Sequence, residues 1–358
     1  MKRSQRGTMT ILVTTAIAFS FAVAPTAAAD TANDGPTATT HGVIVWTQRT
    51  GDGPEHLLIA RADGSHQRAL TPAIPDRKDI DAQISPGGDW VAYEHVNLAM
   101  PSTETIHLVR PNGENDHVLD VGCVDPCVAV DAPTWLSDRQ IGFLKVIGPI
   151  NDQGNATSAV LWTVRLDGSH PRRLSEPGID GVYEDRYARL SADGRYLTFQ
   201  RLRLADSRYA LFRMATNGSD VRQLTPWDIS ADLYDLSTAR HGPTKDLVVF
   251  QSVGRGDPNA TFIDIGFLPA TCTSMVDCTS KIVWMTDNKA TGRRTSNPQW
   301  SPDGSSLVFG DRPSVNDPNA EVWTMRFGGT ESERRDISNS LKYDYRPAWG
   351  NTAEHDTR

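Results

Sequence analysis

The chain has 358 residues, 36 Lys and Arg against 44 Asp and Glu, and a formal net charge of −8. That acidity excludes a nucleic-acid or anionic-lipid surface, which needs clustered Lys and Arg to neutralise phosphate. The length is too great for a small disulfide-stapled module and enough for one large domain.

Lys2, Arg3 and Arg6 precede an apolar run from Ile11 to Ala24, and Ala27-Ala28-Ala29 follows as a small-residue cleavage site. Residues 1–29 therefore read as a signal peptide; the apolar run is short of the roughly 20 residues a membrane span needs. The expectation is a secreted, extracellular or periplasmic protein with no membrane insertion. Residues 30–41, rich in Thr, Ala, Asp and Pro, read as a disordered linker, and 351–358 as a polar tail.

Between them, over residues 42–350, one phrase recurs. NPQWSPDGSSLVFG from Asn297, YARLSADGRYLTFQ from Tyr187 and DAQISPGGDWVAYE from Asp81 are its clearest copies. A period near fifty residues marks a propeller or a solenoid, whose units cannot bury their faces alone. Gly and Pro punctuate short β-branched and aromatic runs, so the fold class is all-β. Each repeat reads as four strands, A to D. Strand A runs into a Ser-Pro-Asp-Gly-like turn; B is VAYE, IGFL, LTFQ, LVVF or LVFG; C is LLIAR, IHLVR, LWTVR, LFRM, FIDIGF or VWTMR; D is short. Asp63-Gly64, Asn112-Gly113, Asp167-Gly168 and Asn217-Gly218 sit between C and D, where tight hairpins need positive φ. Ile84, Trp135, Leu190, Leu236, Trp300 and Trp349 occupy one apolar position of strand A, expected to pack between neighbouring blades. No amphipathic helix is legible after the leader.

The ends are asymmetric. The first repeat begins with a B strand at Val43, while Asp344 to Trp349 is an A strand with no successor. Joining them predicts a six-bladed β-propeller closed by N- and C-terminal strands together, which removes exposed sheet edges.

Cys123/Cys127 and Cys272/Cys278 form two close pairs, read as local disulfides in an exported chain. Zinc is the rival, but the spacings depart from paired C-x2-C ligands; no metal is assigned to the cysteines.

No G-x-S-x-G elbow, H-E-x-x-H or phosphate-cradling loop is present. A triad assembled from distant blades is a spatial matter that sequence does not address. Arg255-Gly256-Asp257 spells an adhesion tripeptide, for which a chance match in a Gly-rich loop is the simpler account. The long D-to-A and B-to-C connections share one face, where binding residues concentrate; the opposite face carries short turns. At the start of the A strands stand the candidate ligand- or partner-binding residues Asp79, Asp81, Asp131, Asp185, Arg186, Asp232, Asp344 and Arg346, with Glu184, Tyr183, Tyr343, Tyr345, Arg293 and Arg294 among them. One reading is a cation-friendly mouth for a basic or polar peptide, or for a divalent cation such as calcium through oxygen ligands. The other is that the carboxylates cap turns and stay solvated. No cofactor is required.

SNPQWSPDGSSLVFG, DYRPAWG and LWTVRLDGSHPRRLS resemble the repeats of TolB-like six-bladed propellers, a WD-repeat-like family, over about His41 to Trp349. The resemblance implies an envelope location and a protein or peptide partner held by the propeller. The resulting expectation is a monomeric, non-catalytic binding protein; the alternative is a lyase or hydrolase with its site in the channel.

Overall fold

The computed structural model describes residues 42–352 apart from 100–103, 149–157, 177–182, 239–240 and 243, so the leader and linker readings lie outside the described residues. Strands run through all of it. β1 (Val43–Arg49), β2 (Glu55–Arg61) and β3 (Arg68–Ala69) are followed by β4 (Arg77–Ile84), β5 (Val91–Asn97), β6 (Glu104–Val109) and β7 (His117–Val118). Next come β8 (Cys127–Ser137), β9 (Gln140–Ile147), β10 (Ser158–Arg165) and β11 (Arg172–Arg173), then β12 (Tyr183–Leu190), β13 (Tyr196–Arg203), β14 (Arg208–Ala215) and β15 (Arg222–Gln223). The last are β16 (Ala231–Thr238), β17 (Leu247–Val253), β18 (Ile263–Pro269) and β19 (Val283–Trp284), and β20 (Arg294–Trp300), β21 (Ser306–Arg312), β22 (Glu321–Arg326), β23 (Arg335–Asp336) and β24 (Tyr343–Gly350).

Among the described residues these strands form three eight-stranded sheets. Each sheet is two antiparallel groups of four joined by one parallel pair: Glu55 with Lys78, Ala159 with Glu184, Ile263 with Arg294. In the first sheet β24 pairs with β1, setting Ile44 opposite Trp349 and Gln48 opposite Asp344. A further parallel bridge joins Ala320 to Tyr343.

The second strand of each group is buried on both faces, which is why it reads as an unbroken apolar run rather than an alternation. Its side chains meet the neighbouring group. Ala92, Ile106 and Leu119 pack with Val130, Trp135, Ile141 and Phe143, and Ile44, Trp46 and Leu58 pack with Val308, Val322 and Ile337. The core thus lies between groups, as the repeat period demands.

The first strand of each group is kinked. Register shifts interrupt β4, β8, β12, β16, β20 and β24 against their partners. At matching places Asp81, Ala132, Tyr187, Asn297 and Arg346 have φ between 50° and 53°. β-Bulges of this kind re-aim side chains beside functional sites, and left-handed backbone at non-glycine residues is held only where the surroundings over-determine it. In β16 the pairing sets Thr238 opposite Val248, as Trp300 stands opposite Leu307, so Thr238 and not Leu236 holds the recurrent position. The sequence misplaces it because Leu236 is apolar and Thr238 is not.

Turns follow the expected chemistry. Asp303 accepts the Ser305 amide at 2.9 Å, and Gly304 at φ 70° lies where a Cβ would stand 2.2 Å from the His241 carbonyl oxygen.

Both cysteine pairs are disulfides. Cys123 is bonded to Cys127 and Cys272 to Cys278, each with a Cα–Cα distance of 5.2 Å. The pairing is as expected, but the setting of Cys278 is not. Where the sequence reading has only strands and turns, Cys278 lies in a helix, α1 (Met275–Ser280). The Ser274 hydroxyl caps it by accepting from the Asp277 amide. Cys278 is its one buried residue, 0% exposed, packed with Cys272, Leu268 and Ala270. A helix that short carries no legible periodicity, and the Cys278 bond rather than an apolar stripe fastens it to the sheet, so the sequence reading lacks it. No helix among the described residues is long and apolar enough to cross a membrane.

Candidate functional site at the inner strands

The eight sequence candidates separate into two sets. Asp79, Asp185 and Asp344 are 0%, 2% and 0% exposed. Asp79 accepts from Arg77 Nε at 2.9 Å and lies 2.8 Å from His95 Nδ1. Asp185 takes both arms of Arg201 at 2.6 and 2.8 Å. Asp344 accepts from Trp46 Nε1 at 2.8 Å, from Gln48 Nε2 at 2.9 Å and from the Ser340 hydroxyl. In each case the partner includes the residue directly opposite on the next strand. These carboxylates are internal cross-strand braces, buried and hydrogen-bonded within the domain, and not solvated turn caps. The Asp232 side chain lies outside the described residues.

Asp81, Asp131, Arg186 and Arg346 do come together. The bulges carry Asp81, Tyr187 and Arg346 to one point: Arg346 Nη1 is 3.1 Å from Asp81 Oδ1, and the Tyr187 hydroxyl donates to Asp81 Oδ2 at 3.2 Å. Arg186 bridges Asp131 at 3.5 Å and Glu184 at 2.9 Å. Glu94, opposite Ile80 on β5, completes the cluster, and carboxylate oxygens of Asp81, Glu94 and Asp131 lie within 4.8 Å of one another. Sequence reasoning missed Glu94 and Tyr187. The available signal was a glutamate closing the otherwise buried run Val91-Ala92-Tyr93.

The charged groups of this cluster act on one another. Burial, then Asp131, pushes the Glu94 carboxyl well above the usual carboxylate range. Burial also presses Asp131 upward, but the Glu94 hydrogen bond and the charges of Arg186 and Arg346 outweigh it and hold it below its ordinary value. Burial raises Asp81 against the pull of Arg346. The opposite shifts of Glu94 and Asp131 suit a proton held between the two carboxyls, while Arg346 faces Asp81 and Arg186 is shared by Asp131 and Glu184. Three carboxyl groups are the oxygen set a hard divalent cation such as calcium takes. Here Arg346 and Arg186 already engage Asp81 and Asp131, so the set does not fit a resident cation without displacing them.

A pH dependence follows. Glu94 has its folded value raised, so its contribution to stability is full below the ordinary 4.5 and is lost as pH rises through the folded value. Asp131, depressed, acts oppositely: its contribution is present above 3.8 and fades as pH falls. Glu94→Gln keeps a donor toward Asp131 without a titrating proton. Thermal melts from pH 5 to 8 should show the variant gaining on the wild type as pH rises; parallel profiles would mean that Glu94 is ionised when folded.

Open space lies at both ends of the inner strands, in cavities of about 230 Å³ each. At the tight-turn end Trp135, Trp300, Trp349 and Leu190 surround Arg189 and His241. Trp135 Nε1 donates to the Gln83 carbonyl at 2.8 Å and Trp300 Nε1 to that of Leu247 at 3.1 Å, fastening neighbouring groups. The short-turn face thus carries large apolar and cationic side chains besides its short turns. At the loop-bearing end the cavity meets Arg294, Arg312, Tyr343, Tyr345, Asp311 and Arg346. Of the predicted acids whose side chains are described, Asp79, Asp81, Asp185 and Asp344 are buried and Asp131 is paired with Arg186, so the groups this cavity has to offer are guanidiniums and phenols, and for those acids the cation-friendly mouth is corrected. Arg255 of the adhesion-like tripeptide is engaged by Asp264 at 2.8 Å and the Thr286 carbonyl at 2.7 Å, so it serves the domain interior.

Comparison with known proteins agrees with this architecture. No protein-family model and no curated protein matches the sequence. Among solved structures, TolB from Acinetobacter baumannii is 15% identical with a TM-score of 0.62, covering 88% of this chain and 68% of its own. Putative TolB from Agrobacterium tumefaciens is 13% identical with a TM-score of 0.53, covering 87% and 99%. A chain of the nidogen/laminin complex is 10% identical with a TM-score of 0.56, covering 86% and 98%. The chain has a TolB-like β-propeller fold.

Proposed function

We propose that the chain is an exported six-bladed propeller, closed by β24 on β1, that binds a protein or peptide partner at the loop-bearing mouth without chemistry. Closure is supported by the inner strands, each of which lies beside the next in the circuit β4, β8, β12, β16, β20, β24 and back to β4. Export is supported by two local disulfides, which persist in oxidising compartments. The observation carrying the binding reading is the contrast along the channel. Its middle holds the self-neutralised Arg346–Asp81–Tyr187 network, while free volume with aromatic and cationic walls opens toward the loops. Rigid strand ends presenting such groups suit recognition.

A second reading, a lyase or hydrolase, is favoured by one feature. Neighbouring carboxyls pushed to opposite protonation states, as at Glu94 and Asp131, are an arrangement general acid–base catalysis uses. The two readings part in one experiment. Envelope-fraction proteins are captured on immobilised residues 30–358 and on the same chain carrying Arg312→Ala. A partner retained by the wild type and lost by the variant is expected. Equal retention moves the surface elsewhere, and turnover of peptides or polysaccharides abolished by Glu94→Gln would put the enzyme first.

A further inference from the structure

Two arginines at the loop-bearing mouth stand where physical chemistry disfavours them. Arg294 of β20 and Arg312 of β21 are directly opposite in an antiparallel pair, so their side chains share one face. Like charges so placed are destabilising. No carboxylate among the described residues bridges them. Arg312 Nε donates to the Asp317 carbonyl at 2.6 Å and Arg294 Nη1 to that of Thr261, both neutral acceptors. Acids that line the same cavity are committed elsewhere: Asp311 to Arg293 and to Arg334 at 3.6 Å, Asp344 to Trp46, Gln48 and Ser340. The Tyr343 ring stands between guanidiniums, with Arg49 at 5.0 Å and Arg312 at 5.4 Å from its centroid. Arg49 has Glu55 at 3.5 Å; Arg294 and Arg312 have no such counter-charge among the described residues. Burial, aided by Arg312, makes Arg294 a weaker base than usual, as expected of a cation awaiting an anion.

We propose that this cavity is an acid-specific subsite, in which Arg294 and Arg312 clamp a carboxylate of a bound peptide against the Tyr343 ring. The inference rests on the binding reading and names the chemistry of its ligand. Guanidinium pairs suit planar carboxylates, and hydrogen bonds to charged groups are among the strong ones. The carboxylate can belong to an Asp or Glu side chain or to a peptide C-terminus.

Fluorescence anisotropy with four N-acetylated hexapeptides separates these: internal Glu with an amidated end, internal Gln with a free C-terminal carboxylate, internal Gln amidated, and internal Lys amidated. The wild type should bind the first or second at least about tenfold more tightly than the third, the worth of one charge-assisted hydrogen bond; which of the two wins identifies the source. Arg294→Gln and Arg312→Gln should each abolish that preference while the melting temperature holds or rises, because a like-charge pair has been relieved. Equal affinity for the charged and amidated peptides overturns the proposal. So do variants that melt lower yet keep the preference, since the arginines would then be structural. Binding of the amidated or Lys peptides alone sinks the acidic subsite but leaves the binding propeller standing, and binding of none of the four ends both.

Discussion

A chain ending at Lys342 should lose cooperative unfolding, whereas one ending at Gly350 should melt within about 2 °C of the full length. The first cut removes β24, leaving β1 an open edge with Ile44, Val45 and Trp46, all 0% exposed in the intact fold, uncovered on that side. It also takes Trp349 out of the interior and strips Trp46 Nε1 and Gln48 of the Asp344 carboxylate. Fully burying one large apolar side chain is worth roughly 1.5–3 kcal/mol. Losing cover from several approaches the roughly 5–15 kcal/mol that holds a whole domain. Among the described residues, the hydrogen bond that the second cut forfeits is the exposed contact from Asn351 Nδ2 to the Pro86 carbonyl at 2.7 Å. Circular dichroism melts of the two truncations decide the matter. Matching cooperative transitions would mean that the proposed closure by β24 on β1 is not what holds the domain together.

The second large effect lies at the centre. Arg346→Met should cost about 3–5 kcal/mol, because it leaves Asp81 buried without its cation. Adding Asp81→Asn should recover much of that loss, since the uncompensated charge is gone. In the single variant the deficit should shrink as pH falls and Asp81 takes a proton. Urea titrations of the wild type, both single variants and the double variant complete the cycle. A double variant no more stable than Arg346→Met alone would show that Arg346 acts through packing on Tyr345, whose ring centroid it approaches to 5.5 Å, rather than through Asp81.

Strand order was legible in the chain because the repeat announces itself: apolar runs such as Val248–Phe250 and Leu307–Phe309 recur, and Gly turns bound them. The site was legible only as a neighbourhood. Asp79 and Asp81, Asp185 and Tyr187, Asp344 and Arg346 are each two residues apart, and in a regular strand such pairs share a face. The left-handed residue breaks that rule. Asp79, Asp185 and Asp344 stay within their own groups, while Asp81, Tyr187 and Arg346 turn to the cluster. Because aspartate, tyrosine and arginine fill that backbone position instead of glycine, composition gives no sign of it. The sign of the mouth was lost for the same reason. A row of acids in sequence looks like a negative rim until the partners that absorb them, Arg201, His95 and Gln48, arrive from the next strand.

The uneven backbone bonding between groups bears on how the molecule breathes. Parallel pairs or bridges tie β2 to β4, β10 to β12, β18 to β20 and Ala320 to Tyr343. Across the remaining two seams the described bonds run through side chains, among them Trp135 to the Gln83 carbonyl, Asp138 to the Gly87 amide and Arg213 to the Ala270 carbonyl. Sub-global opening follows the weakest connections. The strand groups would therefore hinge at these two seams, with β8 to β15 as one leaf and the other groups as the second. Amides of β8 and β16 would exchange earlier than those of β12 and β20, and a ligand seated near Tyr343 would ride on the larger leaf, leaving both hinges free to flex.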